Sequence, residues 1–315
     1  MLPWFFSVLG LVMLLLAGDL LVKGAVNLSL RLGVPALIVS LTVVAFGTSA
    51  PELLVAIKAV TSNAPGLALG NVVGSNTANI LMVLGIPALF ARLHTSECNT
   101  KKSFLFMIAA TVLFMVLAFQ GSFGFTAGCI LLFALALILS ENVWEAQLHR
   151  KAGQPDELEE IEEADPDMPY WRIGLYLVLG LIGLPMGANL LVEGASDIAR
   201  AYGVSDSVIG LTLVAIGTSL PELATTVMAA LRRQADVALG NVLGSNMFNL
   251  LAIIGIASMF GPIPVDPEFL TFDLWVMLGS ALLMIPFVFL KRDITWVWGL
   301  LLTTLYLGYL ASLLL

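Results

Sequence analysis

Two glutamates stand where a glutamate is costly. Glu52 and Glu222 each follow a proline inside an apolar stretch, in the strings Gly47-Thr48-Ser49-Ala50-Pro51-Glu52 and Gly217-Thr218-Ser219-Leu220-Pro221-Glu222. The two strings lie 170 positions apart. A second pair keeps the same offset: Gly70-Asn71-Val72-Val73-Gly74-Ser75-Asn76-Thr77-Ala78-Asn79 returns as Gly240-Asn241-Val242-Leu243-Gly244-Ser245-Asn246-Met247-Phe248-Asn249. An ionisable group within a membrane segment costs about 3 kcal/mol or more, and by default it marks function.

The chemistry follows from the neighbours. Proline donates no N–H and its ring crowds the preceding turn. Pro51 therefore frees the carbonyl of Gly47, and Pro221 that of Gly217. In lipid such carbonyls must find partners. The hydroxyls of Thr48, Ser49, Thr218 and Ser219 and the adjacent carboxylates add further oxygens. The result is the oxygen-rich environment that hard cations require. A plain helix kink, satisfied by its own Thr and Ser, explains one copy but explains two poorly. Every Lys and Arg maps near a helix end, so no basic residue pairs with either glutamate. In the second motif Asn71, Ser75 and Asn79 recur every fourth residue and share one helix face. Asn241, Ser245 and Asn249 repeat that stripe. Gly70, Gly74 and Ala78 form a small-residue stripe beside it, and Gly240 and Gly244 repeat the glycines, which permits close helix approach. Asn71, Asn76, Asn241 and Asn246 read as interhelical hydrogen-bonding residues.

The elements that must position these residues are membrane helices. Hydrophobic residues make up 59% of the 315, and 11% are charged, with a mean hydropathy of +0.99. Soluble chains carry about 25% charged residues. Apolar stretches of about 20 residues mark spans. Ten are expected, near 4–22, 37–60, 66–90, 103–119, 124–146, 171–193, 207–231, 236–259, 271–290 and 294–314. The first reads as a retained helix rather than a signal peptide, having no positive n-region and no clear cleavage site. The net charge of -8 is local: eight acids fall between Asp156 and Asp167, and the rest of the chain balances 14 acidic against 14 basic residues. No basic patch suits a nucleic acid. Cys98 and Cys129 are single and far apart, and His94 and His149 read as loop residues, so no zinc spacing is present. The expected organisation is a first five-helix repeat over 1–147, an acidic cytoplasmic linker over 148–170, and a second five-helix repeat over 171–315.

Placing the N-terminus outside puts 12 of the 14 basic residues on the inner side, leaving Lys58 and Arg200 outside. That is a positive-inside bias, and it places both termini outside. Five helices per half is odd, so the second half enters the membrane from the opposite side. The expected fold is an all-α polytopic membrane protein of ten transmembrane helices in two inverted-topology repeats, an architecture of secondary transporters.

At this level of detail the paired motifs resemble the alpha repeats of the Ca2+/cation antiporter superfamily, particularly its prokaryotic sodium/calcium exchangers. The resemblance covers nearly the whole chain. It implies a cluster of cation sites at the membrane centre. By motif position, Glu52 and Glu222 bind both Ca2+ and Na+, and the backbone carbonyls of Thr48 and Thr218 complete the Ca2+ site. Ser49, Ser219, Ser75 and Ser245, with the carbonyls of Ala45 and Ala215, contribute to flanking Na+ sites, and Asn79 and Asn249 line the middle. Several family members carry Asp where Asn249 stands; Asn in both halves argues against K+ co-transport. The acidic segment is far too short for the regulatory Ca2+-binding domains of the large eukaryotic exchangers.

The resemblance implies electrogenic Na+/Ca2+ exchange in the plasma (inner) membrane, with Ca2+ leaving as Na+ enters. The first helix of each half is implied to slide across a more rigid bundle. No cofactor, enzymatic activity or obligate protein partner is expected, only the two ions and the bilayer. A Ca2+/H+ antiporter of the same superfamily and a passive cation channel are the rival readings. The chain has no Ser/His or paired-Asp signature of a membrane hydrolase.

Overall fold

A computed structural model describes residues 2–152, 165, 167–204, 209 and 215–314. It is all-helical apart from one two-residue strand pair. In chain order the helices are α1 (Leu2–Leu32), α2 (Ala36–Thr48), α3 (Ala50–Thr61), α4 (Pro65–Phe90), α5 (Lys101–Ala118), α6 (Phe125–Ala152), α7 (Tyr170–Ala201), α8 (Ala215–Gly217), α9 (Leu220–Leu231), α10 (Ala235–Ala257), α11 (Phe269–Phe289) and α12 (Trp296–Leu314). The strands are β1 (Ser122–Phe123) and β2 (Ile263–Pro264).

This is a multi-pass membrane protein. Eight of the described helices are long and apolar enough to cross a bilayer, and the bent pair α2–α3 makes a ninth. The span expected over 207–231 lies partly outside the described residues; α8 and α9 are its visible remainder. Most of the acidic linker lies outside them too, and of the side chains of His149, Arg150 and Lys151 nothing is described.

Two spans differ from expectation. α1 and α7 run 31 and 32 residues, well past the apolar limits of 4–22 and 171–193. At 1.5 Å per residue each is about 47 Å long, against a hydrocarbon core of about 30 Å. Hydropathy marks only the lipid-embedded part. Lys23, Arg31 and Arg200, expected in loops, instead sit on helical turns that continue beyond it.

α10 is wholly buried and α4 nearly so, while α1, α6, α7 and α12 lie at the periphery. Large apolar side chains such as Trp4, Leu16, Phe133 and Trp171 face outward, as lipid requires. One large apolar cluster joins α4, α5, α10 and α11, and a second joins α1, α2 and α7 around Leu14, Leu21, Val39 and Leu184.

α1 packs against α7 in antiparallel fashion: Gly24 meets Leu177, Gly10 meets Gly187 and Leu191, and Gly194 meets Pro3 and Ser7. The approach is close enough that a Cβ on Gly10 would lie 2.5 Å from the Leu191 nitrogen and 2.7 Å from the Gly187 oxygen. The loops are joined by two small clasps. Phe123 pairs with Ile263 in the β1–β2 ladder, and Leu93 bridges Ile294. Asp293 reinforces the second clasp by accepting from Arg92 Nε at 2.8 Å and from the Ser96 amide at 2.9 Å. Burial works to raise the Asp293 pKa, but the bonds from Ser96 and the Arg92 charge outweigh it and hold the carboxyl below its usual range.

Candidate cation site

The two glutamate motifs fold alike. Between α2 and α3 the chain bends by 43° at Ser49, whose backbone sits at φ −85°, ψ 4°. Ser219, before α9, has φ −88°, ψ 2°. Pro51 and Pro221 do not kink a continuous helix, the rival explanation that the repetition of the motif disfavoured. Each occupies the first turn of a new 12-residue helix, where a missing N–H costs nothing. Glu52 and Glu222 therefore lie in first turns, where the positive end of the helix dipole favours a carboxylate. Each motif thus builds a helix N-terminus in the buried interior and places an acid on it.

α4 and α10 carry the second motif through the centre of the bundle. Both depart from regular α geometry at the same repeat position, with π-helical turns over Asn79–Val83 and Phe248–Ile253. Such turns are rare and concentrate at functional sites; nothing in local propensity announced them.

Of the residues expected at the site, Ala45, Thr48, Ser49, Glu52, Ser75, Asn79, Ser219, Glu222, Ser245 and Asn249 are buried. Thr218 is half-buried, and Ala215 opens α8, its side chain outside the described set. Hydrogen bonds tie several together across the repeats. Ser49 Oγ donates to Glu222 Oε1 at 3.2 Å. Thr48 Oγ1 donates to Asn241 Oδ1 at 3.2 Å and lies 3.5 Å from Ser245 Oγ. Thr218 Oγ1 donates to Asn71 Oδ1 at 3.3 Å, the same bond 170 positions on. Asn76 Nδ2 donates to the Asn246 carbonyl at 3.2 Å, and Asn246 Nδ2 returns a bond to the Asn76 carbonyl at 3.4 Å. Asn79 Nδ2 donates to Asn246 Oδ1 at 3.0 Å.

What remains unpartnered is mostly oxygen. Both carboxylate oxygens of Glu52, Oε2 of Glu222, Oδ1 of Asn76, Asn79 and Asn249, and Oγ of Ser219 are buried without a hydrogen-bond partner, as are the amide nitrogens of Asn71 and Asn249. Buried polar atoms are normally paired. A surplus of acceptors around two acids fits a hard cation. Among the described residues no group of three or more His, Cys, Asp or Glu gathers, so the centre holds two carboxylates with neutral oxygens around them. A cavity of about 440 Å³ adjoins it, between the breaks (Pro51, Thr218, Pro221) and α7 (Pro185, Ala188, Asn189).

Asn71, Asn76, Asn241 and Asn246 are interhelical hydrogen-bonding residues, as expected from sequence, and each has a partner in the opposite repeat. The one available signal was that each recurs at the 170-residue offset.

Known proteins resemble this chain along nearly its whole length. The profile of the sodium/calcium exchanger protein family matches residues 2–143 and 173–315. A putative antiporter, CaxA, from Alkalimonas amylolytica is 37% identical over 307 residues, 96% of either chain. The sodium/calcium exchanger MaX1 of Methanosarcina acetivorans is 33% identical, covering 97% of this chain and 96% of its own length. The structure of the sodium-calcium exchanger NCX_Mj soaked with Na+ and Sr2+ superposes with a TM-score of 0.81 at 31% identity, over 99% of this chain and 98% of that one.

Proposed function

This chain belongs to the sodium/calcium exchanger protein family, and from that premise we propose that it exchanges Na+ for Ca2+ across the plasma membrane by alternating access. The observation that carries the reading is the pair of buried glutamates, each on the N-terminus of a broken helix from a different repeat, with their free oxygens unpartnered. Two carboxylates give the centre a charge near −2. One Ca2+ neutralises it, and so do two Na+. Both ions thus compete for one site, which is the condition for exchange rather than co-transport.

On this reading Glu52 and Glu222 ligate both ions, with the carbonyls of Thr48 and Thr218 completing the Ca2+ site. Ser49, Ser75, Ser219, Ser245 and the carbonyls of Ala45 and Ala215 serve Na+, and Asn79 and Asn249 separate the positions. Asn in both halves leaves no third acid, which favours K+-independent transport. The relatives named as sodium/calcium exchangers support this choice of ions.

The architecture is ten spans in two inverted repeats of five, with both termini outside. The antiparallel packing of α1 on α7, which are counterparts in the repeat, supports inversion. So do the two clasps: Leu93 and Ile263 are counterparts at the 170-residue offset, and each anchors one of them. α1 and α7, packed on each other through close glycine contacts, form the layer that slides on the central bundle. Each net charge carried inward is driven by about 2.3 kcal/mol per 100 mV, so a surplus of Na+ charge over Ca2+ charge expels Ca2+.

The test is radioactive Ca2+ flux in proteoliposomes under Na+, H+ and K+ gradients imposed one at a time. An outward Na+ gradient drives uptake, and neither of the others does. Uptake driven by a pH gradient alone makes the protein a Ca2+/H+ antiporter; flux without any counter-ion makes it a channel.

A further inference from the structure

The two repeats do not build equal halves of the site. Asn241 is fully buried on α10 and makes three hydrogen bonds. Its Oδ1 accepts from Thr48 Oγ1 at 3.2 Å. Its Nδ2 donates to the backbone carbonyl of Glu222 at 3.2 Å and to Thr226 Oγ1 at 3.2 Å. One amide thus links the break of the first repeat to the glutamate of the second. Its counterpart Asn71 accepts from Thr218 Oγ1 at 3.3 Å, but its Nδ2 has no partner. Part of the cause is written in the sequence. Where the second repeat has Thr226, the first has Ala56, which offers no side-chain acceptor. The glutamates differ in the same sense: Ser49 Oγ holds Glu222 Oε1, whereas both oxygens of Glu52 and the Oγ of Ser219 are unpartnered.

We propose that Asn241, backed by Thr226, is a positioning residue that presets Thr48 and Glu222 for Ca2+, so that one half of the site is braced and the Glu52 half adjusts to the ion. The inference rests on the exchange reading above. Ca2+ is held by several oxygens at once, at about 2.3–2.6 Å, and its affinity depends on the rigidity of the set. The brace joins two elements that a central divalent ion must contact together. Besides the glutamates, a Na+ ion in a flanking position draws on serine hydroxyls and alanine carbonyls, none of which Asn241 hydrogen-bonds. Loss of the brace therefore weakens Ca2+ more than Na+, and the missing Ala56 partner makes Asn71 the less important amide.

The experiment compares Asn241→Ala, Asn71→Ala, Thr226→Val and Thr226→Ser, reading half-saturation for Ca2+ and for Na+ separately from the maximal rate. With neutral hydrogen bonds contributing about a factor of five each, Asn241→Ala, which loses three, raises Ca2+ half-saturation about a hundredfold, and that for Na+ by less than about twofold. Thr226→Val, which keeps shape and loses the hydroxyl, raises Ca2+ half-saturation about fivefold, whereas Thr226→Ser, which keeps the acceptor, behaves as wild type. Asn71→Ala shifts Ca2+ by less than Asn241→Ala does. Equal shifts for both asparagines, equal shifts for both ions, or a wild-type Thr226→Val overturn the proposal. If Asn241→Ala does not fold, the Thr226 pair decides alone. Glu52→Gln and Glu222→Gln run alongside: flux surviving in both removes the exchange site itself, while their inactivity with indistinguishable asparagine variants removes only the brace.

Discussion

Gly244→Ala tests how tightly the site depends on helix packing. A Cβ at Gly244 would stand 2.6 Å from the Ala45 Cβ and 2.6 Å from the Leu41 carbonyl oxygen, both on α2. Neither is the end of a flexible chain, so α10 must withdraw to restore an ordinary contact of about 3.4 Å, a displacement of roughly 0.8 Å. Asn241 and Ser245 flank this point and reach Thr48 at 3.2 and 3.5 Å. Adding the displacement takes both to about 4 Å or more, beyond a hydrogen bond. Overpacking costs about 1–3 kcal/mol and the lost Asn241 bond about 1 kcal/mol. Replacing glycine in a helix returns about 1 kcal/mol. The net is a destabilisation of about 1–3 kcal/mol, together with a Ca2+ half-saturation raised about fivefold by the lost contact. Thermal unfolding in detergent and Ca2+ flux measure the two. Gly279→Ala is the control: nothing lies within 4 Å of a Cβ there, so it matches or exceeds wild-type stability. A Gly244→Ala protein with wild-type melting and wild-type half-saturation would refute the packing argument.

Lowering pH inhibits flux, because protons and cations compete for the Glu52 and Glu222 carboxylates; a rate unchanged from alkaline to mildly acidic pH contradicts this. Asp293→Asn destabilises the Leu93–Ile294 clasp by about 1 kcal/mol, modest because Arg92 is largely exposed. Since the folded Asp293 carboxyl titrates below its ordinary range, that contribution is present above about pH 4 and fades as pH falls through the folded value. Melting curves of wild type and variant therefore converge in acid, and a gap that widens there refutes the assignment. Asp19 on α1 pairs with Arg232 at the end of α9 and with Lys23 at 3.2 Å, whereas the counterpart positions hold Asn189 and Ser62. Arg232→Asp lowers the melting temperature, and adding Asp19→Arg restores part of the loss of about 1 kcal/mol; no recovery in the double variant breaks the pairing.

The sequence carried the site's outline because its cost is visible there. An acid beside a proline in an apolar run stands out, and repetition at a fixed offset removes the ordinary explanation. Span positions were legible for the same reason, since burial in lipid imposes about 20 apolar residues. What hydropathy cannot report is how far a helix continues once it leaves the hydrocarbon, which is why α1 and α7 exceed their expected lengths. The prolines read as freeing carbonyls at a break in each helix, but that they begin α3 and α9 shows only in the backbone of Ser49 and Ser219. The inequality of the repeats was in plain view as Thr226 against Ala56, but it acquires meaning only when Asn241 is seen to reach both Thr226 and the opposite repeat.

The central claim is that one pair of glutamates binds both ions. Equilibrium binding of radioactive Ca2+ to the purified protein, titrated with Na+, tests it most directly. The account predicts a single class of Ca2+ site in the wild type, displaced fully by Na+, and no measurable binding of either kind in folded Glu52→Gln or Glu222→Gln protein. Ca2+ binding that survives in either variant, or that saturating Na+ leaves in place, would contradict it.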